Sequence, residues 1–158
     1  SDALIKAGCD VLAQHCDTTA PQEASENNGT WAIGYNSDMS KETPKATLTS
    51  VIWNWSAYYT SYISSIINAS YSGENYYGGM KESLVSLTEL SSLCDDQTAE
   101  KVKEAKEKIV SGDFGVFDGV LKTNTGDSVG EEGKTLDDAK ITGEINWYYH
   151  NVSELKWK

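Results

Sequence analysis

Helical and strand-like patterns alternate from the start of the chain. Ser1 to Gly8 has the pattern of the end of an amphipathic helix, and the apolar residues of Cys9 to Gln14 predict a short buried strand after it. Thr19 to Asn27 predicts a second helix, because the breaker pair Asn28–Gly29 follows its end. This order of elements is typical of α/β proteins.

Two further strands are predicted at Thr30 to Tyr35 and at Thr47 to Trp53, where β-branched and aromatic residues are frequent. The polar segment from Asn36 to Pro44 lies between them and predicts a loop. Strands separated by helical stretches favour a parallel sheet that is covered by helices. The fold class we expect is therefore α/β, a three-layer parallel sheet flanked by helices.

A stripe of large apolar side chains follows the third predicted strand. Between Asn54 and Ser70 these side chains recur at spacings of three and four, which predicts an amphipathic helix. A Tyr- and Gly-rich loop follows from Gly73 to Gly79, and the alternation in Ser83 to Leu90 favours a strand. The residues of the stripe are Trp55, Tyr58, Tyr59, Tyr62, Ile63, Ile66 and Ile67.

The last third of the chain begins with a clear helix, which Asp95 or Asp96 caps and which runs to Ser111. Extended segments are expected at Phe114 to Lys122 and at Thr135 to Thr142, around a Gly- and Asp-rich loop. A short aromatic helix is expected near Ile145 to Glu154. The predicted inner face of the first of these helices consists of Ala99, Val102, Ala105 and Ile109.

Composition narrows the range of partners. The 158 residues suit one compact domain, and 24 acidic against 13 basic side chains give a formal charge of -11. Such a field repels phosphate backbones and anionic lipid headgroups, so nucleic acid is not an expected partner. No apolar stretch approaches the ~20 residues that a membrane-spanning helix requires. Because the first residues contain neither an initiator Met nor a signal peptide, we expect the chain to begin within a longer protein.

Cys9, Cys16 and Cys94 fit neither a zinc site nor a dense disulfide framework. We expect mostly free thiols that are buried as small hydrophobic groups, with one bridge and a spare thiol as the alternative. The acidic pairs of the chain, such as Asp95–Asp96, do not follow the calcium-loop pattern. No metal, cofactor or catalytic residue is predicted.

The candidate ligand contacts lie directly after the three predicted strands. Ligands of doubly wound sheets bind beyond the carboxyl ends of the strands, where the loops diverge. The loops in question begin at His15, Gly34 and Trp53. The residues that we expect to bind ligand are His15, Asp17, Thr18, Tyr35, Asn36, Asp38, Trp53 and Asn54.

Each candidate also has a structural interpretation. Asp38 can accept hydrogen bonds from ribose hydroxyls or from the amino group of a base, or it can cap a turn after its strand. Trp53 and Tyr35 can stack on a purine, or they can pack in the core. His15 and Asp17 suggest an acid–base pair only weakly, because no nucleophile pattern or phosphate loop accompanies them.

Three segments together resemble the basic membrane protein family of purine nucleoside receptors. They are Gly8-Cys9-Asp10-Val11-Leu12-Ala13-Gln14-His15-Cys16-Asp17, then Trp31-Ala32-Ile33-Gly34-Tyr35-Asn36-Ser37-Asp38-Met39, then Lys45-Ala46-Thr47-Leu48-Thr49-Ser50-Val51-Ile52-Trp53-Asn54-Trp55. Lys101 to Gly112 and Gly133 to Leu136 also look like the C-terminal portion of that family. The likeness spans nearly the whole chain.

The resemblance implies one lobe of a type I periplasmic-binding-protein fold. Members are two-lobed extracytoplasmic receptors, usually lipoproteins, that deliver purine nucleosides or bases to an ABC permease. Residues 1–158 would then form the C-terminal lobe, and the helix at residues 54–70 would pack toward the absent N-terminal lobe. Because Trp53 occupies a position where many nucleoside-binding members carry Lys, a free base competes with a nucleoside as the ligand.

The function expected from this resemblance is that of a binder and not of an enzyme. The alternatives are a nucleoside-hydrolysing α/β enzyme, in which His15, Asp17 and Asp38 share one cleft, and a receptor that feeds a signalling kinase. An exposed aromatic helix at residues 54–70 would also favour a homodimer.

Overall fold

The computed structural model describes residues 1–152, and the last six residues lie outside the described part. The chain divides into two compact units, residues 1–110 and residues 111–158. None of the described helices is both long and apolar enough to cross a membrane.

Helices and strands alternate through most of the first unit, as the apolar pattern predicts. Pro21 lies in the first turn of the second helix, and Gly29 ends that helix with a left-handed φ of 68°. The elements are α1 (Asp2–Lys6), β1 (Val11–Ala13), α2 (Ala20–Asn28), β2 (Trp31–Asn36), β3 (Thr47–Trp53), α3 (Trp55–Ile67), β4 (Val85–Leu87) and α4 (Asp96–Ser111).

The four strands of this unit form one sheet in the order β1-β2-β3-β4. β1, β2 and β3 are parallel, whereas β4 pairs with β3 in the antiparallel direction. The α/β class with a mainly parallel sheet flanked by helices is therefore confirmed. The prediction that the whole sheet is parallel is wrong for the edge strand β4. β4 runs the other way because the chain returns to the sheet beside the carboxyl end of β3, where the N–H of Asn54 donates to the carbonyl of Leu84.

The core of the first unit is small and contains many polar side chains. α2 lies against β1 and β2. No residue of α3 is fully buried, and the predicted inner face of α4 is half-buried at Ala99, Val102 and Ile109 but exposed at Ala105. The buried apolar side chains of this unit are Leu12, Ala32, Met39, Ala46 and Leu84, and the buried polar ones are Gln22, Ser25, Thr43, Thr47, Thr49 and Ser50.

The second unit contains a short hairpin, in which β5 (Leu121–Lys122) pairs antiparallel with β6 (Ser128–Val129). Helix α5 (Asp138–Gly143) follows, so the extended segment predicted at residues 135–142 is wrong over most of its length. The reason is a helix cap: the carboxylate of Asp137 accepts the backbone N–H of Lys140 at 2.9 Å.

The aromatic helix predicted near residues 145–154 is also absent from its described part, residues 145–152. Tyr149 forms a β-bridge with Thr123, and the N–H of His150 donates to the carbonyl of Lys122 at 2.9 Å. These backbone groups pair with the hairpin and are not available for helical hydrogen bonds. The remainder of the predicted helix lies outside the described residues.

All three cysteines are free thiols. Cys9 and Cys94 are half-buried, whereas Cys16 is exposed, so the expectation that the thiols are buried is wrong at Cys16. Its exposure follows from its place in the loop after β1.

Candidate functional site

The carboxyl ends of the three parallel strands lie at one edge of the sheet. Ala13 at the end of β1 is in register with Ile33, and Asn36 at the end of β2 is in register with Ile52, directly before Trp53. The loops that follow Ala13, Asn36 and Trp53 therefore leave the sheet side by side. Backbone groups are free at such an edge, which is why it commonly holds a ligand.

The loops after β1 and β2 border an open hollow of about 350 Å³ that we call the polar hollow. Within it, the Nδ2 atom of Asn36 donates to the Oδ1 atom of Asp17 at 3.2 Å. The ring of His15 packs on the ring of Tyr35 with centroids 4.3 Å apart. The lining residues of the polar hollow are Asp17, Thr18, Thr19, Tyr35, Asn36, Ser37 and Met39.

Asn36 adopts a left-handed backbone conformation with φ of 69°. Residues other than glycine seldom adopt it, although asparagine tolerates it better than most. The N–H of Ser37 donates back to the carbonyl of Tyr35 at 2.8 Å, which completes a tight turn at the end of β2. This turn directs the amide of Asn36 toward Asp17.

Asp38 does not line the polar hollow and is exposed. Its Oδ1 atom accepts the N–H of Ser40 at 3.0 Å, which is the turn-capping contact that its sequence position also allows. Hydrogen bonds from Ser40, first from its side chain and then from its backbone, hold the pKa of Asp38 below its ordinary value.

Trp53 and Asn54 lie beside a different hollow, of about 440 Å³, that we call the aromatic hollow. The rings of Trp53 and Trp55 stack with centroids 5.6 Å apart. The backbone N–H of Asn54 donates to the carbonyl of Leu84 at 2.7 Å, and its side chain is exposed. The lining residues of the aromatic hollow are Trp53, Trp55, Tyr58, Tyr76, Tyr77, Gly78 and Leu84.

The structure thus groups five of the eight sequence-predicted residues, His15, Asp17, Thr18, Tyr35 and Asn36, at or beside the polar hollow. Trp53 ends the neighbouring strand β3, Asn54 follows it, and Asp38 caps a turn.

Sequence reasoning missed two features of this edge of the sheet. Met39 is buried and lines the polar hollow, although its place in a polar segment suggested only a loop. The aromatic hollow also contains Tyr76 and Tyr77, which the sequence placed in a Gly-rich loop. Their clustering with the aromatic stripe of α3 was the available signal.

The polar hollow presents groups that suit a neutral, polar ligand. Asp17 supplies carboxylate acceptors, Asn36 supplies an amide, and Thr18 supplies a hydroxyl group. His15 contacts Tyr35 and Asp17 pairs with Asn36, so His15 and Asp17 have different partners. Among residues 1–152 no cluster of three or more His, Cys, Asp or Glu side chains could hold a metal ion.

Comparison with known proteins identifies relatives of this chain. Over 152 residues it is 32% identical to a purine-binding protein of Brucella abortus (strain 2308), a match that covers 96% of this chain and 43% of that protein. Over 119 residues it is 30% identical to TsgA13 of Haloferax volcanii, named as a candidate ABC transporter glucose-binding protein, with 75% of this chain and 30% of that protein covered.

Two solved structures share the fold. One is a transcriptional activator of the comK gene from Bacillus halodurans, with a TM-score of 0.64 and 24% identity over 72% of this chain and 41% of that one. The other is an ABC transporter solute-binding protein from Conexibacter woesei, with a TM-score of 0.52 and 18% identity over 72% of this chain and 39% of that one.

The chain spans less than half the length of these relatives and structures. The decisive match is to a family of binding proteins described as ABC transporter substrate-binding protein, PnrA-like, and it extends over residues 1–118, which include both hollows. The family expected from the three sequence segments is confirmed, and the chain belongs to the Bmp family of PnrA-like ABC transporter substrate-binding proteins.

Proposed function

We propose that residues 1–158 form the C-terminal lobe of a two-lobed extracytoplasmic receptor. This receptor binds a purine nucleoside or nucleobase between its lobes and delivers it to an ABC permease. The observation that carries the proposal is the pairing of Asp17 with Asn36 at the carboxyl edge of the sheet, in a chain of a substrate-binding family. The purine-binding relative from Brucella abortus supports the ligand class.

In this proposal the polar hollow binds the hydrogen-bonding edge of the ligand. Asp17 accepts from ribose hydroxyls or from the amino group of a base, and Asn36 and Thr18 can both donate and accept. The paired rings of His15 and Tyr35 border the same hollow. Asp38 and Asn54 lie outside the polar hollow, and in this proposal they reach the ligand from the loops after β2 and β3.

Trp53 supplies the stacking surface in the proposal. It is the last residue of β3, directly after Ile52, the register partner of Asn36, and its ring lies against Trp55 in the aromatic hollow. Stacking of a base on an aromatic side chain contributes ~1–3 kcal/mol where truncation has been measured. A flat purine fits this chemistry better than a sugar does, because both faces of the base are aromatic.

A hexose is the second candidate ligand. The Haloferax volcanii relative is named for glucose, and a carboxylate paired with an amide can also bind adjacent sugar hydroxyls. Trp53 can stack on a purine and can also pack against the apolar C–H face of a hexose ring, so direct titration with both ligand classes is needed to distinguish them.

The exposed apolar face of α3 fits a partner in the complete receptor. Its outward side chains include Trp55, Tyr59, Ile63 and Ile67, which are between 50% and 77% exposed. We propose that the N-terminal lobe covers this face, and that the isolated 158-residue chain forms a homodimer through it instead. Attachment to the membrane as a lipoprotein belongs to the same proposal.

The test is isothermal titration calorimetry on the complete receptor with adenine, hypoxanthine, adenosine, guanosine and glucose as separate titrants. Trp53→Ala is expected to weaken purine affinity by about tenfold or more, because base stacking is lost. Trp31→Ala is the matched control, since this exposed indole begins β2 at the opposite end of the strand and lines neither hollow. Binding of glucose but of no purine would reject the purine class.

Two further measurements test the receptor assignment. Nucleoside incubated with the receptor should remain intact by liquid chromatography, and release of free base would favour the nucleoside-hydrolysing alternative. The isolated 158-residue chain should bind purines weakly, because half of the cleft is absent. Submicromolar affinity of this chain alone would contradict the one-lobe assignment.

A further inference from the structure

Gln22 is a fully buried polar side chain in α2, behind the polar hollow. Its Nε2 atom donates to the Sδ atom of Met39 at 2.9 Å, and its Oε1 atom accepts from Nε2 of Gln14 at 2.8 Å. A buried amide is costly unless it is hydrogen-bonded, so both partners are needed to keep it in place. Gln22 therefore joins the chain after β1 to the loop after β2.

The contacts continue into the third strand. Met39 is itself buried, and its backbone N–H donates to the Oγ atom of Ser50 in β3 at 3.2 Å. Gly34 leaves room for this arrangement, because a Cβ atom there would overlap Oγ of Ser50 and lie 3.1 Å from Nε2 of Gln22. A single buried network thus connects α2, β3 and the loop after β2.

Gln14 links this network to the ligand loop. Its Oε1 atom accepts the N–H of Cys16 at 2.7 Å, and its Nε2 atom donates to the carbonyl of Thr18 at 2.9 Å. These two bonds flank Asp17, whose carboxylate accepts from Asn36 in the polar hollow. The loop is thereby held from behind by Gln14 and from the front by Asn36.

We infer that Gln14, anchored by Gln22 and Met39, is a positioning residue that fixes the loop of residues 15–18 for ligand binding. The inference rests on the proposed function for its ligand readout only. Gln14 does not line the polar hollow, so its effect on the ligand is exerted through Asp17 and Thr18. A loop that is ordered before binding loses less conformational entropy when the ligand arrives, which raises affinity.

The ring of His15 gives a readout that needs no ligand. It lies 4.3 Å from the ring of Tyr35, whose ring current shifts the imidazole signals, and it moves with the loop that Gln14 holds. The 158 residues contribute only two histidine signals, those of His15 and His150, when the complete receptor is selectively labelled with ¹³C-histidine. The signal that disappears in a His15→Gln variant is assigned to His15.

In Gln14→Ala, the His15 signal is expected to move toward the position of a free imidazole. Purine affinity should fall by about tenfold, because the two hydrogen bonds that hold the loop are lost. Gln22→Met keeps the side-chain volume and removes the amide, and it should move the His15 signal in the same direction. The control is Asn28→Ala at the far end of α2, where the amide donates only to the carbonyl of Ala24.

An unchanged His15 signal in both Gln14→Ala and Gln22→Met overturns the inference, whatever happens to affinity. A drop in affinity without a change of the His15 signal would place Gln14 in direct contact with the ligand, which also overturns it. If the wild-type receptor binds none of the purines, the proposed function fails, and the His15 signal still decides whether Gln14 positions the loop.

Discussion

The side-chain amide of Asn36 donates to the carboxylate of Asp17 across 3.2 Å, and this contact joins the loops that follow β1 and β2. Asn36 makes it from a left-handed backbone conformation, with φ of 69°. Unusual backbone conformations of this kind concentrate at functional sites, where the surrounding structure holds them in place. Substitution can therefore separate the effect of the hydrogen bond that Asn36 donates from the effect of its left-handed backbone.

Asn36→Gly and Asn36→Ala both remove the hydrogen bond to Asp17, but only alanine strains the left-handed backbone. We expect Asn36→Ala to lower the free energy of unfolding by about 1 kcal/mol more than Asn36→Gly does. Chemical denaturation of the complete receptor measures this difference. Both variants should weaken ligand binding to a similar degree, and full affinity in Asn36→Gly would exclude the amide from binding.

Gly34→Ala should be destabilising because the new methyl group meets Ser50 and Gln22 in a closed space. Overpacking of this kind typically costs about 1–3 kcal/mol. The matched control is Gly143→Ala, where no heavy atom lies within 4 Å of the added Cβ. Thermal unfolding of the two variants compares them, and an equal, small effect would mean that the sheet relaxes around position 34.

The exposed face of α3 predicts self-association of the isolated 158-residue chain. Ile63 and Ile67 are 53% and 77% exposed, and replacing both with Ser should shift the chain from dimer to monomer in sedimentation velocity. Ser64→Ala on the same helix is the control, since it does not remove apolar surface. A wild-type chain that stays monomeric at high concentration would contradict the proposed homodimer.

Asp95 predicts a specific pH dependence. Hydrogen bonds from Thr98, first from its side chain and then from its backbone, hold the pKa of Asp95 below its ordinary value of 3.8. A pKa that is lower in the folded state than in the unfolded state contributes stability above the ordinary value, and this contribution is lost as the pH falls through the lowered pKa. Acid should therefore weaken the start of α4.

The measurement compares wild type with Asp95→Asn, which keeps a capping side chain and removes the charge. The difference in free energy of unfolding should be constant at neutral pH and should shrink as the pH falls below 3.8. Asp96→Asn, one residue further along, controls for the general loss of negative charge. A difference that does not change with pH would show that the Asp95 charge has no part in capping.

The sequence by itself determined the elements whose signals are local. The strand predicted at Thr47–Trp53 has the same bounds in the structure, and the helix of residues 96–111 begins after its capping carboxylate as expected. The end of a helix is also a local feature: Gly29 ends α2 in a left-handed conformation, at the breaker pair that the sequence shows. Such features depend on the backbone preferences of a few neighbouring residues, which a sequence displays directly.

Tertiary structure decided what depends on distant partners. The direction of β4, the bridge of Tyr149 to Thr123, and the network of Gln14, Gln22 and Met39 each join segments that are far apart in the chain. From the sequence alone, a polar residue such as Gln22 is predicted to be exposed to solvent, whereas the structure buries it against hydrogen-bonding partners. The sequence thus placed Asp17 and Asn36 at strand ends, but only the packing of α2 and β2 against each other revealed what holds their loops in place, because hydrogen bonds between distant segments have no local signature.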